Sequence, residues 1–151
     1  VNDRGILATQ EIRTADQTTS AMDTFIHLFR QSRADKKEFM TEKREAFFRS
    51  LADELAQFDM LYLLYLTIDN VPAASVFCVE NGNTVYLYNN GFDPRFRGIS
   101  VGLVSKIQTI RASIEAGQSV YDFLSGTERY KYQLGGAEIP LLRCIIERRS
   151  L

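Results

Sequence analysis

The residues best suited to chemistry lie between Asn89 and Tyr132. An Arg-Gly-rich loop, Arg95-Phe96-Arg97-Gly98-Ile99-Ser100-Val101-Gly102, runs into a helical pattern. The first turn of a helix leaves backbone N–H groups unpaired at the positive end of its dipole. Such a loop suits phosphate oxygens, with glycine letting an anion approach the backbone, and it serves equally well as a plain strand-to-helix connection. It has neither the Walker lysine nor dinucleotide-binding spacing. Further on, Tyr130-Lys131-Tyr132 sets an ammonium between two phenols, and Asp122 stands mid-strand. A carboxylate facing inward there must be paired, with Lys131 or Arg97 as candidates. Asn89 and Asn90 either donate to a carbonyl or end a strand. There is one histidine, His27, beside an apolar helix face, and no Ser-His-Asp or Cys-His set, so a covalent intermediate on the chain is disfavoured. The two cysteines, Cys78 and Cys144, sit in apolar runs without CxxC spacing and read as buried, reduced thiols. A single histidine leaves zinc few ligands, so no metal site is expected.

The elements that must position these groups follow from periodicity. Gly5 to Arg13 alternates as a first strand, closed by Thr14 with Gln17 in capping-box spacing. Met22, Phe25, Ile26 and Phe29 form one face of a first helix ending near Arg33, and a loop over Arg30 to Lys37 leads on. A second helix spans about Thr41 to Phe58, with Phe47, Phe48, Leu51, Leu55 and Phe58 assigned to the core. Met60 to Ile68 is a buried strand, Asp69-Asn70 a two-residue turn, Val71 to Val79 the return, and Asn81-Gly82 the next turn. Thr84 to Tyr88 is then a strand expected to stop at Asn89-Asn90-Gly91. From Ser100, as N-cap, Leu103, Ile107, Ile110 and Ile114 trace an amphipathic helix that ends at Gly117. Ser119 to Leu124 returns beside Thr84 to Tyr88, a strand-helix-strand crossover that requires a parallel pair and makes the sheet mixed. Glu128 opens a short helix, and Ile139 to Ile146 is read as a last strand.

With 151 residues the chain is long enough for one domain with a real core, and 45% hydrophobic with 25% charged residues is an ordinary globular balance. A formal charge of -1 provides no basic field for nucleic acid, so DNA binding is not expected and any anion site must be local. No apolar run approaches the roughly 18 residues of a membrane span, and no signal-peptide pattern is visible, so a cytoplasmic protein without membrane insertion is expected.

Two stretches carry a resemblance: Tyr88-Asn89-Asn90-Gly91-Phe92-Asp93-Pro94 with Ser100-Val101-Gly102, and Asp122-Phe123-Leu124-Ser125-Gly126-Thr127-Glu128-Arg129-Tyr130-Lys131-Tyr132. They resemble the acetyltransferase domain of the GNAT superfamily, in the branch of FemAB-like and cellulose-biosynthesis proteins. Val101 stands where that branch has proline, and Ser125 where it has arginine, which removes a fixed charge. The resemblance implies a GNAT fold, a mixed and mostly antiparallel sheet of about six strands flanked by helices in the order β-α-α-β-β-β-α-β-α-β. It also implies direct N-acyl transfer from acetyl-CoA or another acyl-CoA. Arg97, Gly98, Ser100, Val101 and Gly102 would then meet the pyrophosphate, Asn89 and Asn90 the pantetheine arm, and Tyr130 or Tyr132 the thioester sulfur. Arg33, Lys36 and Lys131 would face the acceptor, a small molecule, peptide or saccharide. The resemblance further implies that residues 1–151 are the C-terminal part of a two-domain chain, partnered by a preceding similar domain or by a homodimer mate. Two other readings stand beside this one: a scaffold domain that has lost the donor site, and a Fem-type transferase using aminoacyl-tRNA, which would call for a more basic surface.

Overall fold

The computed structural model describes residues 5–147. Its sheet has five strands in the order β1-β2-β3-β4-β5: Leu7–Ile12, Leu61–Ile68, Val71–Asn81, Thr84–Phe92 and Val120–Asp122. Pairing is antiparallel from β1 to β4, and β4 with β5 is parallel, as the crossover requires. The helices are α1 (Ala15–Ser32), α2 (Ala34–Phe39), α3 (Glu42–Gln57), α4 (Val101–Glu115) and α5 (Arg129–Gln133), with a 3-10 segment over Pro94–Ile99. The β2–β3 turn has Asp69 and Asn70 both at positive φ, 50° and 64°, the backbone of a type I′ hairpin. The next hairpin turns on Gly82 at φ 59°, one residue later than Asn81-Gly82.

The core has two sides because β2 is buried on both faces. Leu61, Leu63 and Tyr65 point toward α1 and α3, and Tyr62 and Leu64 toward α4. On the first side Phe25 meets the Phe77 ring edge-on at 5.5 Å and Phe48 packs on Tyr88 at 5.6 Å. Rings in such contacts add stabilisation beyond the area they bury. Tyr65 closes the layer by donating its hydroxyl to Ala21 O.

Several expectations are corrected. The loop over Arg30 to Lys37 holds a helix, α2, because the chain re-enters helical geometry after one extended residue, Arg33 at φ -160°. Thr14 does not cap α1 with its side chain; its hydroxyl donates to Gln17 Oε1 at 3.3 Å instead. Thr41 does cap α3, accepting from Arg44 N at 3.3 Å. Phe47 and Phe58 are exposed: adjacent positions lie about 100° apart on a helix, so Phe47 cannot share the inward face of Phe48, and Phe58 lies beyond the last turn.

The inward face of α4 is not the expected one, and of the four residues assigned to it Leu103 and Ile110 are only half-buried. Its buried side chains are Val101, Ser105, Lys106, Thr109 and Ser113, while Ile107 and Ile114 are exposed. The hydroxyls of Ser105, Thr109 and Ser113 donate to carbonyls one turn back in their own helix, so burying them leaves no donor unsatisfied.

The sixth strand is absent among the described residues. Residues 137–147 run without ladder partners, with Ile139, Leu141, Leu142, Ile145 and Ile146 exposed and Cys144 exposed rather than buried. A three-residue β5 offers a short edge, and Pro140 has no N–H to give. Cys78 is buried, and burial pushes its thiol up to about 12. No helix among the described residues is long and apolar enough to cross a membrane.

Candidate active site

The site begins where β5 leaves β4. Their ladder holds only Thr84↔Val120, Val85↔Tyr121 and Tyr86↔Asp122. Beyond it Leu124 adopts φ 56° and donates its N–H to Asp122 Oδ1 at 2.7 Å, which turns the chain away. This is the role of Asp122, and it pairs with neither Lys131 nor Arg97. Strand β4 does not stop at Asn89 but continues to Phe92, its register against β3 shifting between Phe77 and Cys78. The shift leaves Tyr88 as an extra residue, a bulge that bends the strand and re-aims Asn89 and Asn90. Past Tyr86 and Asp122 the two strands are no longer paired, which opens a gap in the sheet where Leu87 to Asn90 continue β4 and Phe123 to Ser125 leave β5.

The start of α4 adjoins the gap. Asp93 accepts from Arg95 N at 2.9 Å and from its guanidinium at 2.7 and 2.9 Å, which fixes the 3-10 segment and holds the Asp93 carboxyl below its usual range. Ser100 is left-handed at φ 54° and makes no side-chain cap. Leu103 and Val104 both donate to Ser100 O, at 2.8 and 3.0 Å, so the amides of Val101 and Gly102 precede the first helical bonds. Arg97 and Gly98 are exposed just ahead of them, and Arg97 forms no ion pair among the described residues.

Residues 3–132 match the sequence profile of the acetyltransferase (GNAT) domain. The chain belongs to that family. No curated protein matches it in sequence. Among solved structures it is similar to a GCN5-related N-acetyltransferase from Ralstonia eutropha JMP134, with 14% identity over 93% of this chain and 99% of that one and a TM-score of 0.63. It is also similar to the aminoglycoside acetyltransferase AAC(6')-Iy bound to a bisubstrate analogue containing CoA, with 15% identity, 97% and 99% coverage and a TM-score of 0.61. The ribosomal-protein-S18-alanine N-acetyltransferase of Escherichia coli aligns at 16% identity over 76% of this chain, with a TM-score of 0.59. The chain spans 64% of the length of that protein. At such identities these likenesses concern the fold, which is the GNAT fold with five strands in place of about six.

Within this acetyltransferase domain the two tyrosines part company. Tyr130 packs edge-on against Phe123 at 6.2 Å, under the ammonium of Lys106 at 4.6 Å, and burial pushes its phenol up to about 12. Tyr132 is exposed and donates its hydroxyl to Glu138, away from the gap. Lys131, between them, turns inward. Its ammonium donates to Ser125 O at 2.7 Å and lies 2.9 Å from Glu128, so it ties the β5–α5 loop to α5. Asn89 turns its side-chain oxygen onto Asn90 N at 3.1 Å. Lys36 reaches from α2 to donate to Asn90 O, with its ammonium 4.6 Å above the Phe29 ring. Arg33, beside it, is exposed and engaged with Asp35.

Lys106 belongs to the site but was not legible as such in the sequence. It is buried, donates to Gly102 O at 2.7 Å and lies against Tyr130, with its ammonium pKa pushed down to about 8 by burial and then by repulsion from Lys36. The signal available was a polar stripe, Ser105, Lys106, Thr109 and Ser113, at helical spacing within an otherwise apolar helix.

Proposed function

We propose that this domain transfers an acyl group from an acyl-CoA, acetyl-CoA in the simplest case, directly to an amine acceptor. The observation that supports this best is the gap between β4 and β5 opening beside the first turn of α4. The residues present fit such a donor. Among the described residues the β4 edge beyond Tyr86 has no fifth-strand partner, and the Val101 and Gly102 amides with Arg97 offer N–H groups and positive charge to a pyrophosphate. Bound acyl-CoA would supply a thioester, a carbonyl open to attack with the CoA thiolate as leaving group. The chain's own part is to hold the two substrates in line and to stabilise charge where it develops. Tyr130, protonated at neutral pH, donates a hydrogen bond to the departing sulfur. Two AAC(6')-Iy structures and a PaiA N-acetyltransferase from Thermoplasma acidophilum contain CoA or a CoA-derived analogue, which supports the same donor.

The motif Asp122 to Tyr132 supports membership of the FemAB-like, cellulose-biosynthesis branch. We place the protein in the cytoplasm, where acyl-CoA is available, and infer a similar domain or second copy as its neighbour.

Calorimetric titration tests the donor. CoA and acetyl-CoA are expected to bind, and Arg97→Ala to weaken both by roughly tenfold, the worth of one charge-assisted contact to a phosphate. If neither ligand binds, the acyl-CoA reading fails, and titration with tRNA then separates a Fem-type transferase from a scaffold, which binds none of the three. Tyr130→Phe is expected to reduce kcat by about 100-fold with CoA affinity retained, the scale of one lost proton donor. Tyr132→Phe, on the surface pair with Glu138, should give the smaller loss. Equal kcat for the Tyr130 variant and wild type would remove that phenol from the mechanism.

A further inference from the structure

Arg97, exposed ahead of α4, is without an ion pair among the described residues, and the other cations around the gap divide into two groups. Arg33, Arg95 and Lys131 are each paired with a carboxylate, of Asp35, Asp93 and Glu128 respectively. Lys36 and Lys106 are not. Among the described residues no acidic side chain forms an ion pair with either, and the partners they have are backbone carbonyls, Asn90 O and Gly102 O, with the faces of Phe29 and Tyr130. An ammonium has three N–H donors, and a carbonyl dipole plus a ring face neutralises only part of its charge. Lys106 is buried and Lys36 half-buried, and withdrawing an ammonium from water without a counter-ion is costly, so an anion entering between them would be stabilised.

The placement of the two lysines shows where the anion goes. Lys36 extends from α2, on the face of the sheet covered by α1 and α3, and Lys106 from α4 on the opposite face. A continuous sheet would separate them. The β4–β5 ladder ends at Tyr86↔Asp122, so at Asn90, where Lys36 is bonded, and at Gly102, where Lys106 is bonded, no fifth strand lies between the two side chains.

We infer that the amine acceptor of this domain carries an anionic group, a carboxylate or phosphate, that docks at the opening between Lys36 and Lys106. This rests on the acyl-transfer reading and adds the acceptor class to it. The donor's own phosphates are the other source of negative charge. They belong at the first turn of α4, on the far side of the sheet from Lys36, so Lys36 is the residue that reports on the acceptor. Aminoglycosides, which carry several ammonium groups, would be repelled here, in contrast to the acceptors of the aminoglycoside acetyltransferases that share the fold.

The experiment compares four amines at fixed acetyl-CoA by release of the CoA thiol: phosphoethanolamine, glutamate, ethanolamine and spermidine. The anionic amines are expected to exceed ethanolamine in kcat/KM by roughly tenfold, the value of one charge-assisted contact, with spermidine lowest. Lys36→Gln should raise the KM of the anionic amine by about 10- to 100-fold while the KM of acetyl-CoA moves little, and Lys36→Arg should recover part of the loss. Spermidine as the best acceptor, or a Lys36→Gln effect falling on acetyl-CoA, overturns the inference. Should no amine be acetylated, thermal unfolding in sodium phosphate against sodium chloride at equal ionic strength decides it. The inference requires phosphate to raise Tm in the wild type and not in Lys36→Gln, and equal responses overturn it. Titration of acetyl-CoA separately decides the donor reading, so the two fail distinguishably.

Discussion

Gly91→Ala is expected to destabilise the domain by about 3 kcal/mol, the upper part of the range for a core forced to admit one methyl too many. Strand β4 passes α1 so closely that a Cβ at Gly91 would lie 2.4 Å from Phe29 N and 2.6 Å from both Leu28 C and Phe29 Cα. These are backbone atoms near the C-terminal end of α1, and no rotamer change can move them aside. Gly91 is not at positive φ, so the effect is one of contact and not of backbone strain. For a domain of this size the loss corresponds to a fall in Tm of about 6 to 12 °C, readable by calorimetry or urea unfolding. Gly98→Ala provides the comparison, since a Cβ there meets nothing within 4 Å, and it should change stability by less than about 0.5 kcal/mol. Equal midpoints for the two variants would show that α1 is not seated on Gly91. Because Asn89 and Asn90 are carried on the same strand, a shift of α1 against β4 would also be felt at the gap.

Stability should rise with pH between about 7.5 and 9, by about 2 kcal/mol. Lys36 and Lys106 have folded-state pKa values pushed down to about 8 from an ordinary 10.5, in both cases first by burial and then by a neighbouring cation, Arg33 for Lys36 and Lys36 for Lys106. Between those values the unfolded chain keeps protons that the folded chain has released, so raising the pH favours folding. The buried Cys78 thiol, pushed up to about 12, opposes this from its ordinary value near 9, and the figure of about 2 kcal/mol is what remains for the two lysines after that subtraction. Above about pH 10 the phenols of Tyr62, Tyr65 and Tyr121, all raised by burial, reverse the trend, because only the unfolded chain can ionise them there. Urea unfolding at constant ionic strength measures the slope, and replacing both lysines by methionine should flatten it. A wild-type profile that falls from pH 7.5 to 9 would contradict the lowered ammonium pKa values of the buried Lys106 and half-buried Lys36.

Local chemistry fixed a large part of this molecule. The Asp69-Asn70 turn, the parallel crossover around α4, the helix start after Ser100 and the opening of α5 at Glu128 follow from residue types acting within a few positions of one another. The acetyltransferase motif at Asp122 to Tyr132 was legible for the same reason, as a contiguous run. Three features were decided by the tertiary structure. Periodicity gave α4 an apolar inner face, but its hydroxyls bond to their own helix and so can be buried, which turned Ser105, Lys106, Thr109 and Ser113 inward. Turn propensity ended β4 at Asn89-Asn90-Gly91, whereas the close passage of α1 requires glycine within a continuing strand. The pairing of Lys36 with the gap spans 54 residues of chain to Asn90, and Lys106 reaches it from the other face of the sheet. Sequence spacing records neighbours along the chain; which charges are brought together without a counter-ion depends on how β4 and β5 separate, and that is a property of packing alone.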